Sequence, residues 1–153
     1  MIATADLFDQ LGEQLQSISI PFRNFGTPWF EGPVRTLQCR EDNALLKATV
    51  SESGGGAVLV VDGGGFLTCA LIGDVIAGIA LENGWAGAVI YGAVRDQVAL
   101  ATLPFGVKAL GTNPRTSGKT GKGSTDIVVE FGGVRFRPGA RLYSDEDGIV
   151  VER

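Results

Sequence analysis

The sequence predicts an α/β protein: one layered domain over residues 1–153, with a parallel βα core and antiparallel hairpins towards its carboxyl-terminal end. Three observations carry that expectation. The run Ala57-Val58-Leu59-Val60-Val61-Asp62 is continuously apolar and rich in β-branched residues, as in a strand covered on both faces. An α/β unit follows, from Gly73-Asp74-Val75-Ile76 through a helical stretch to Asn83-Gly84 and on into an apolar strand over 86–94. The last third alternates short strand signals with Gly132-Gly133 and Pro138-Gly139 turns. At 153 residues the chain can bury a sizeable core, and 44% hydrophobic against 20% charged residues is the balance of a folded protein.

Taken in order, residues 4–15 carry Leu7, Phe8, Leu11 and Leu15 at helical spacing, with Thr4 placed as the N-cap. Residues 17–33 mix prolines and glycines with Phe22, Phe25, Trp29 and Phe30, and read as a loop that packs aromatics, either as a buried irregular segment or as a lid or subunit contact. A strand is expected over 34–39 and a helix over 43–52, ending before Gly54-Gly55-Gly56. In the central helix Ile72, Ile76, Ile79 and Ala80 share one face, and Gly84 terminates it. Beyond it come a helical turn over 97–103, a strand over 105–110 that carries Lys108, and a polar glycine-rich loop over 115–124. In that loop Arg115, Lys119 and Lys122 read as solvated charges, with anion contact as the alternative. Short strands are expected over 127–131, 134–136, 142–143 and 148–151.

Composition excludes several function classes. The formal net charge of −4 offers no general attraction to nucleic-acid backbones or anionic lipid. No apolar run is long enough to span a bilayer and no secretory leader pattern opens the chain, so a cytoplasmic location is expected. Cys39 and Cys69 lack paired spacing and read as reduced, buried thiols. The chain contains no histidine, which excludes a Ser-His-Asp triad, a Cys-His pair and imidazole-bound zinc. Any metal must therefore sit on oxygen, and carboxylates that leave room for water suit Mg²⁺ or Mn²⁺. The glycine clusters do not form nucleotide loops: Thr68 stands where a dinucleotide fingerprint from Gly63 needs glycine, and Asn113 stands where Gly118-Lys119-Thr120 needs its phosphate-loop partner.

Asp74 and Arg95 are separated by twenty residues, enough for a short helix, a turn and a returning strand. Ten helical residues travel about 15 Å and seven strand residues return about 23 Å, so Asp74 and Arg95-Asp96 are expected at one edge. The helix start at Gly73 offers unpaired N–H groups to a small carboxylate, Arg95 offers a fixed positive fork, and Asp96 offers oxygen to a hard metal ion. This set suits a 2-oxo acid. The same residues also suit a helix cap and a surface ion pair.

At these residues the sequence resembles the regulator of ribonuclease activity A (RraA) family, which includes class II 4-hydroxy-4-methyl-2-oxoglutarate aldolases. The resemblance runs through Asn24-Phe25-Gly26, Val60-Val61-Asp62-Gly63, Tyr91-Gly92-Ala93-Val94-Arg95-Asp96, Ala109-Leu110-Gly111-Thr112 and Asp145-Glu146-Asp147-Gly148. Its most specific element is an Asp, twenty residues, then Arg-Asp, here Asp74, Arg95 and Asp96. It implies a β/β/α sandwich of the swivelling-domain type, a homotrimer with active sites between subunits, and a divalent cation, Mg²⁺ or Mn²⁺, as cofactor. Backbone amides of Gly73, Asp74, Val75 and Ile76 would hold the substrate carboxylate, Arg95 would bind substrate and stabilise its enolate, and Asp96 would ligate the ion directly. Asp74 would act as a catalytic residue through water on the ion, supplying the charge that other members carry three residues after Asp96, where Ala99 stands here.

The implied function is metal-dependent retro-aldol cleavage of 4-hydroxy-4-methyl-2-oxoglutarate to two pyruvates, with oxaloacetate decarboxylation through the same enolate. The alternative from the same resemblance is a non-catalytic regulator that binds and inhibits ribonuclease E. A third reading, a Schiff-base aldolase, would use Lys108.

Overall fold

A computed structural model describes residues 2–153 of the chain. Helix α1 (Thr4–Leu11) passes through a 3₁₀ turn into β1 (Leu15–Ser17), followed by β2 (Arg23–Gly26), β3 (Phe30–Gln38) and α2 (Ala44–Val50). The central part comprises β4 (Val58–Asp62), β5 (Ala70–Ile72), α3 (Asp74–Glu82), β6 (Gly87–Val94), α4 (Gln97–Leu100) and β7 (Gly106–Thr112). β8 (Ser124–Thr125), β9 (Val129–Phe131), β10 (Val134–Phe136), β11 (Arg141–Asp145) and β12 (Gly148–Glu152) complete the chain.

The strand order is β1-β12-β11-β3-β4-β6-β7-β2, with β5 also pairing β6 and β8 pairing β3. β3, β4, β6 and β7 run parallel, as the apolar runs predict. β3 joins two layers: Phe30 to Pro33 pair antiparallel with β11, and Val34 to Gln38 pair parallel with β4. The period-two alternation of the strands then sorts two cores. Leu59, Val61, Ala88 and Ile90 face α2 and α3, packing on Leu46, Val50, Ile76, Ala77 and Ala80. Val58, Val60 and Val89 face the other way, onto Phe131, Phe136, Leu142 and Val151 of the antiparallel layer. There Tyr91 stacks on Phe131 with centroids 4.7 Å apart. The result is a mixed α/β single domain of three layers, mostly sheet, in agreement with the expected sandwich.

Three local expectations are corrected. The first helix ends at Leu11 rather than Leu15, because Gly12 turns to φ 54° and Leu15 is taken by β1, which pairs with β12. Ala3 holds the cap position, and Thr4 is the first helical residue instead, its N–H and hydroxyl both donating to the buried Asp145 carboxylate at 2.7 Å. Residues 17–33 are not an irregular loop: β2 lies there, paired antiparallel with β7, and β3 begins at Phe30, so Phe25 and Phe30 are core residues of strands.

Partial burial pushes the Asp145 carboxyl up, but donation from Thr4, Asp147 and Gly148 outweighs this and holds its pKa below the ordinary value. A folded-state pKa below the unfolded one gives stabilisation that is complete above the unfolded value, about 3.9, and is lost as the pH falls through the folded value. The urea midpoint should therefore decline below about pH 4. Thr4→Val should cost about 1–3 kcal/mol at neutral pH and flatten that decline, and an unchanged unfolding curve would refute the role of this contact.

Candidate active site

β5 and β6 pair in parallel, Ala70 with Ala93 and Ile72 with Val94, and the Arg95 N–H donates to the Ile72 carbonyl at 3.0 Å. Both strands therefore deliver their carboxyl ends to one place, where parallel sheets commonly bind ligands. Past Ile72 the chain turns at Gly73, the N-cap of α3, and past Val94 it presents Arg95 and Asp96. The expected meeting of Asp74 with Arg95-Asp96 is observed: the Asp74 N–H donates to Asp96 Oδ2 at 3.2 Å. Glycine at 73 is required by this approach. A Cβ there would collide with Asp96 Oδ2 and lie 3.2 Å from Arg95 Cγ.

Asp96 itself adopts a left-handed conformation, φ 60° and ψ 42°, uncommon for a residue other than glycine. Its carbonyl accepts the Leu100 N–H at 2.8 Å and starts α4. Its carboxylate is thereby turned back across the start of α3. Because the Asp74 N–H is engaged by Asp96, the donors left for a ligand among the four expected over 73–76 are those of Gly73, Val75 and Ile76.

These residues line a cavity of about 560 Å³ between α2, the start of α3 and the loop around Thr116. Gly73, Asp74, Val75, Ile76, Arg95 and Asp96 form one wall. α2 and its flanking residues contribute Asn43, Ala44, Lys47, Ala48 and Ser51, and Lys119 joins from the polar loop. The sequence gives no signal for Lys47 or Asn43 as site residues, and Lys119, read there as a solvated charge with anion contact as the alternative, lines the cavity. The polar loop is also more ordered than a solvated segment. Asp42 accepts the Thr120 N–H, the Thr120 hydroxyl and the Gly121 N–H at 2.6, 2.8 and 3.0 Å. Burial pushes the Asp42 carboxyl up, yet these donors and Ala44 pull it down to about 2. The anchored loop brings the Lys119 ammonium to Asn43 Oδ1, while the Asn43 amide donates to the Leu71 carbonyl at 2.9 Å.

The cavity wall thus carries three cations, Lys47, Arg95 and Lys119, and two carboxylates, Asp74 and Asp96. Among the described residues none of the five has an ion-pair partner within 4 Å. Among the described residues Arg95 makes one side-chain hydrogen bond, from Nη1 to the Pro114 carbonyl at 3.3 Å. Among the described residues no three His, Cys, Asp or Glu side chains converge as a ready metal cage. A divalent ion at Asp96 would take its remaining ligands from water or substrate, as Mg²⁺ does. The Asp96 side chain is exposed at the cavity, and the absence of a Cβ at Gly73 leaves its carboxylate undisplaced for that role.

Lys108 is elsewhere. It is 2% exposed, and its ammonium donates at 2.7 Å to both Asn24 Oδ1 and the Asp145 carbonyl. Burial lowers its pKa against the opposing pull of Asp145 and Glu146, but the amine does not line the cavity of Arg95 and Asp96 and reads as a structural cross-link. Cys39 and Cys69 are free and buried, and burial pushes the Cys39 thiol up to about 12. No helix among the described residues is long and apolar enough to cross a membrane.

The family model for Aldolase/RraA, the RraA-like family, matches residues 4–151. The chain belongs to the RraA-like family. This family includes both aldolases and ribonuclease inhibitors, and metal-dependent members are among them. A structure described as S-adenosylmethionine:2-dimethylmenaquinone methyltransferase from Geobacillus kaustophilus is 47% identical, with TM-score 0.97 over 99% of this chain and 94% of that one. The RNA-processing inhibitor RraA from Thermus thermophilus is 44% identical, with TM-score 0.96 over 99% and 93%. RraAS2 of Streptomyces coelicolor, from the RNase ES inhibitor RraA protein family, is 31% identical, with TM-score 0.78 over 98% and 79%.

Gly73→Ala isolates the contribution of the close approach. The backbone at Gly73 is extended, φ −136° and ψ −158°, so alanine adds no backbone strain. The collision falls on Asp96 and Arg95. The variant should fold with a melting temperature within a few degrees of wild type, yet bind Mn²⁺, followed by electron paramagnetic resonance, on the order of tenfold or more weakly. Unaltered Mn²⁺ affinity would separate Gly73 from the metal question.

Proposed function

We propose that the protein is a divalent-metal-dependent lyase of 2-oxo acids. It cleaves 4-hydroxy-4-methyl-2-oxoglutarate to two pyruvates and decarboxylates oxaloacetate as a secondary reaction. The observation that carries this reading is the contact of Asp96 with the start of α3 beside Arg95, inside one cavity.

Each residue has a distinct task. The free N–H groups of Gly73, Val75 and Ile76, at the positive end of α3, receive the substrate's C1 carboxylate. The Arg95 guanidinium faces the 2-oxo group. Its planar fork of N–H donors stabilises negative charge on that oxygen. Asp96 would hold the ion, with Asp74 beside it. When bound, such an ion supplies Lewis-acid stabilisation to the oxo and carboxylate oxygens.

In the aldol cleavage the C4 hydroxyl loses its proton and the C3–C4 bond breaks. The C4 fragment leaves as pyruvate, and the bonding pair remains on C1–C3 as pyruvate enolate, which takes a proton at C3. With oxaloacetate the same bond breaks, carbon dioxide leaves and the same enolate forms. Charge on the enolate oxygen is largest after bond breaking, so Arg95 contributes more to the transition state than to the ground state.

A second reading has its own support. The similarity to the Thermus thermophilus inhibitor makes ribonuclease E a candidate partner, and the acidic balance of the chain suits a basic segment on it. The two roles are compatible in one chain, and a homotrimer is the assembly proposed for both.

Pyruvate release from 4-hydroxy-4-methyl-2-oxoglutarate and from oxaloacetate, with and without chelator, tests the first reading. Wild type should lose turnover on chelation and regain it with Mg²⁺ or Mn²⁺, and oxalate should compete with substrate. Asp96→Ala should abolish metal-dependent turnover, and Arg95→Ala should lower kcat by about 10²–10³. Full, chelator-resistant release by Asp96→Ala would refute the assignment. For the second reading, purified ribonuclease E should be retained by the immobilised protein at low salt and released as salt rises. Absence of such a complex would remove the regulator role.

A further inference from the structure

The cavity of about 560 Å³ is far larger than a three-carbon oxo acid needs, and α2 contributes to its lining beside the start of α3. Ala44, Lys47, Ala48 and Ser51 line it at helical spacings of three, four and seven residues, so one face of α2 forms the wall. Seven residues of helix extend this wall by about 10 Å. Three of the four side chains are small and leave room. The fourth is a cation.

The other two cationic groups on the cavity each have a hydrogen-bond partner within the protein. Arg95 bonds the Pro114 carbonyl and Lys119 is held by Asn43 Oδ1. Lys47 is exposed at the cavity and, among the described residues, its ammonium has neither a hydrogen-bond nor an ion-pair partner. A cation without a partner, lining the cavity from α2 rather than from the start of α3, is suited to receive an anionic group of the ligand.

We infer that Lys47 binds a second carboxylate of the substrate, making this cavity selective for 2-oxo acids that carry a carboxylate two carbons beyond the carbonyl-bearing fragment's reactive C3 end. This rests on the 2-oxo acid reading above and adds the residue that sets substrate class. Ammonium and carboxylate form a charge-assisted contact at the far end of the ligand. The small faces of Ala44 and Ala48 pass the intervening carbons.

Equilibrium binding separates this inference from the lyase reading. Calorimetry in the presence of Mg²⁺ compares 2-oxoglutarate with 2-oxopentanoate, which has the same chain length and a methyl group in place of the distal carboxylate. Wild type should prefer 2-oxoglutarate on the order of tenfold or more. Lys47→Met should remove most of that preference, and Lys47→Arg should retain it. In turnover, Lys47→Met should raise KM for 4-hydroxy-4-methyl-2-oxoglutarate more than it lowers kcat. A wild-type protein that binds neither ligand, or both equally, would overturn the inference, as would a Lys47→Met variant that keeps the preference. Selective, Lys47-dependent binding without any pyruvate release would overturn the lyase reading and leave the carboxylate subsite in place.

Discussion

The cavity depends on one parallel pairing, Ile72 beside Val94, continued by the Arg95 N–H on the Ile72 carbonyl. β5 is three residues long and stops where β6 also ends, so both chains leave the sheet at the same level. One exits into a helix start and the other into Arg95-Asp96. The twenty-residue interval between Asp74 and Arg95 is then the length needed for α3, its turn and β6 to return to the partner strand. Glycine at 73 converts proximity into contact, because only hydrogen separates its backbone from the Asp96 carboxylate. The left-handed backbone at Asp96 costs about 1–2 kcal/mol. It persists because the Leu100 and Asp74 N–H groups hold both ends of the residue.

Rigidity behind this corner comes from the two cores. β6 is buried along almost its whole length, with Ala88 and Ile90 under α3 and Val89 against the antiparallel layer. A shift of β6 along its axis would carry the alternating side chains out of both cores at once. Arg95 and Asp96 are exposed side chains on a backbone that cannot slide. A functional group placed that way is mobile at its tip and fixed at its base, as binding geometry requires.

The parts legible in the sequence are those whose signal is local. β4 and β6 are continuous apolar runs, α3 has a periodic face and a glycine stop, and the carboxyl-terminal strands are bounded by turn residues. The Asp74 and Arg95-Asp96 meeting was legible because helix rise and strand rise fix it. β2 and the first half of β3 were not, since Pro28, Gly26 and Gly32 interrupt their alternation and their order comes from pairing with β7 and β11. Leu15 fits the helical spacing of α1, and only its long-range pairing with Glu152 shows it to be a strand residue. The α2 wall was hidden for a related reason. Ala44, Lys47, Ala48 and Ser51 have the composition of a solvent face, and nothing local distinguishes solvent from a cavity. Lys119 reaches Asn43 across 76 residues of sequence, a relation that no window of the chain contains.

Charge is distributed unevenly between this cavity and the rest of the molecule. The chain as a whole carries −4, while the cavity wall carries three cations against two carboxylates. An anionic ligand approaching an acidic protein is repelled at long range and attracted only near the concavity, where low-dielectric walls focus the local field. That arrangement favours small acids able to enter over large polyanions that must stay outside. It also divides the molecule between the two family roles. A basic protein partner would be drawn to the acidic exterior and a 2-oxo acid to the cavity, so the two proposed roles would place no conflicting demand on Asp74, Arg95 or Asp96.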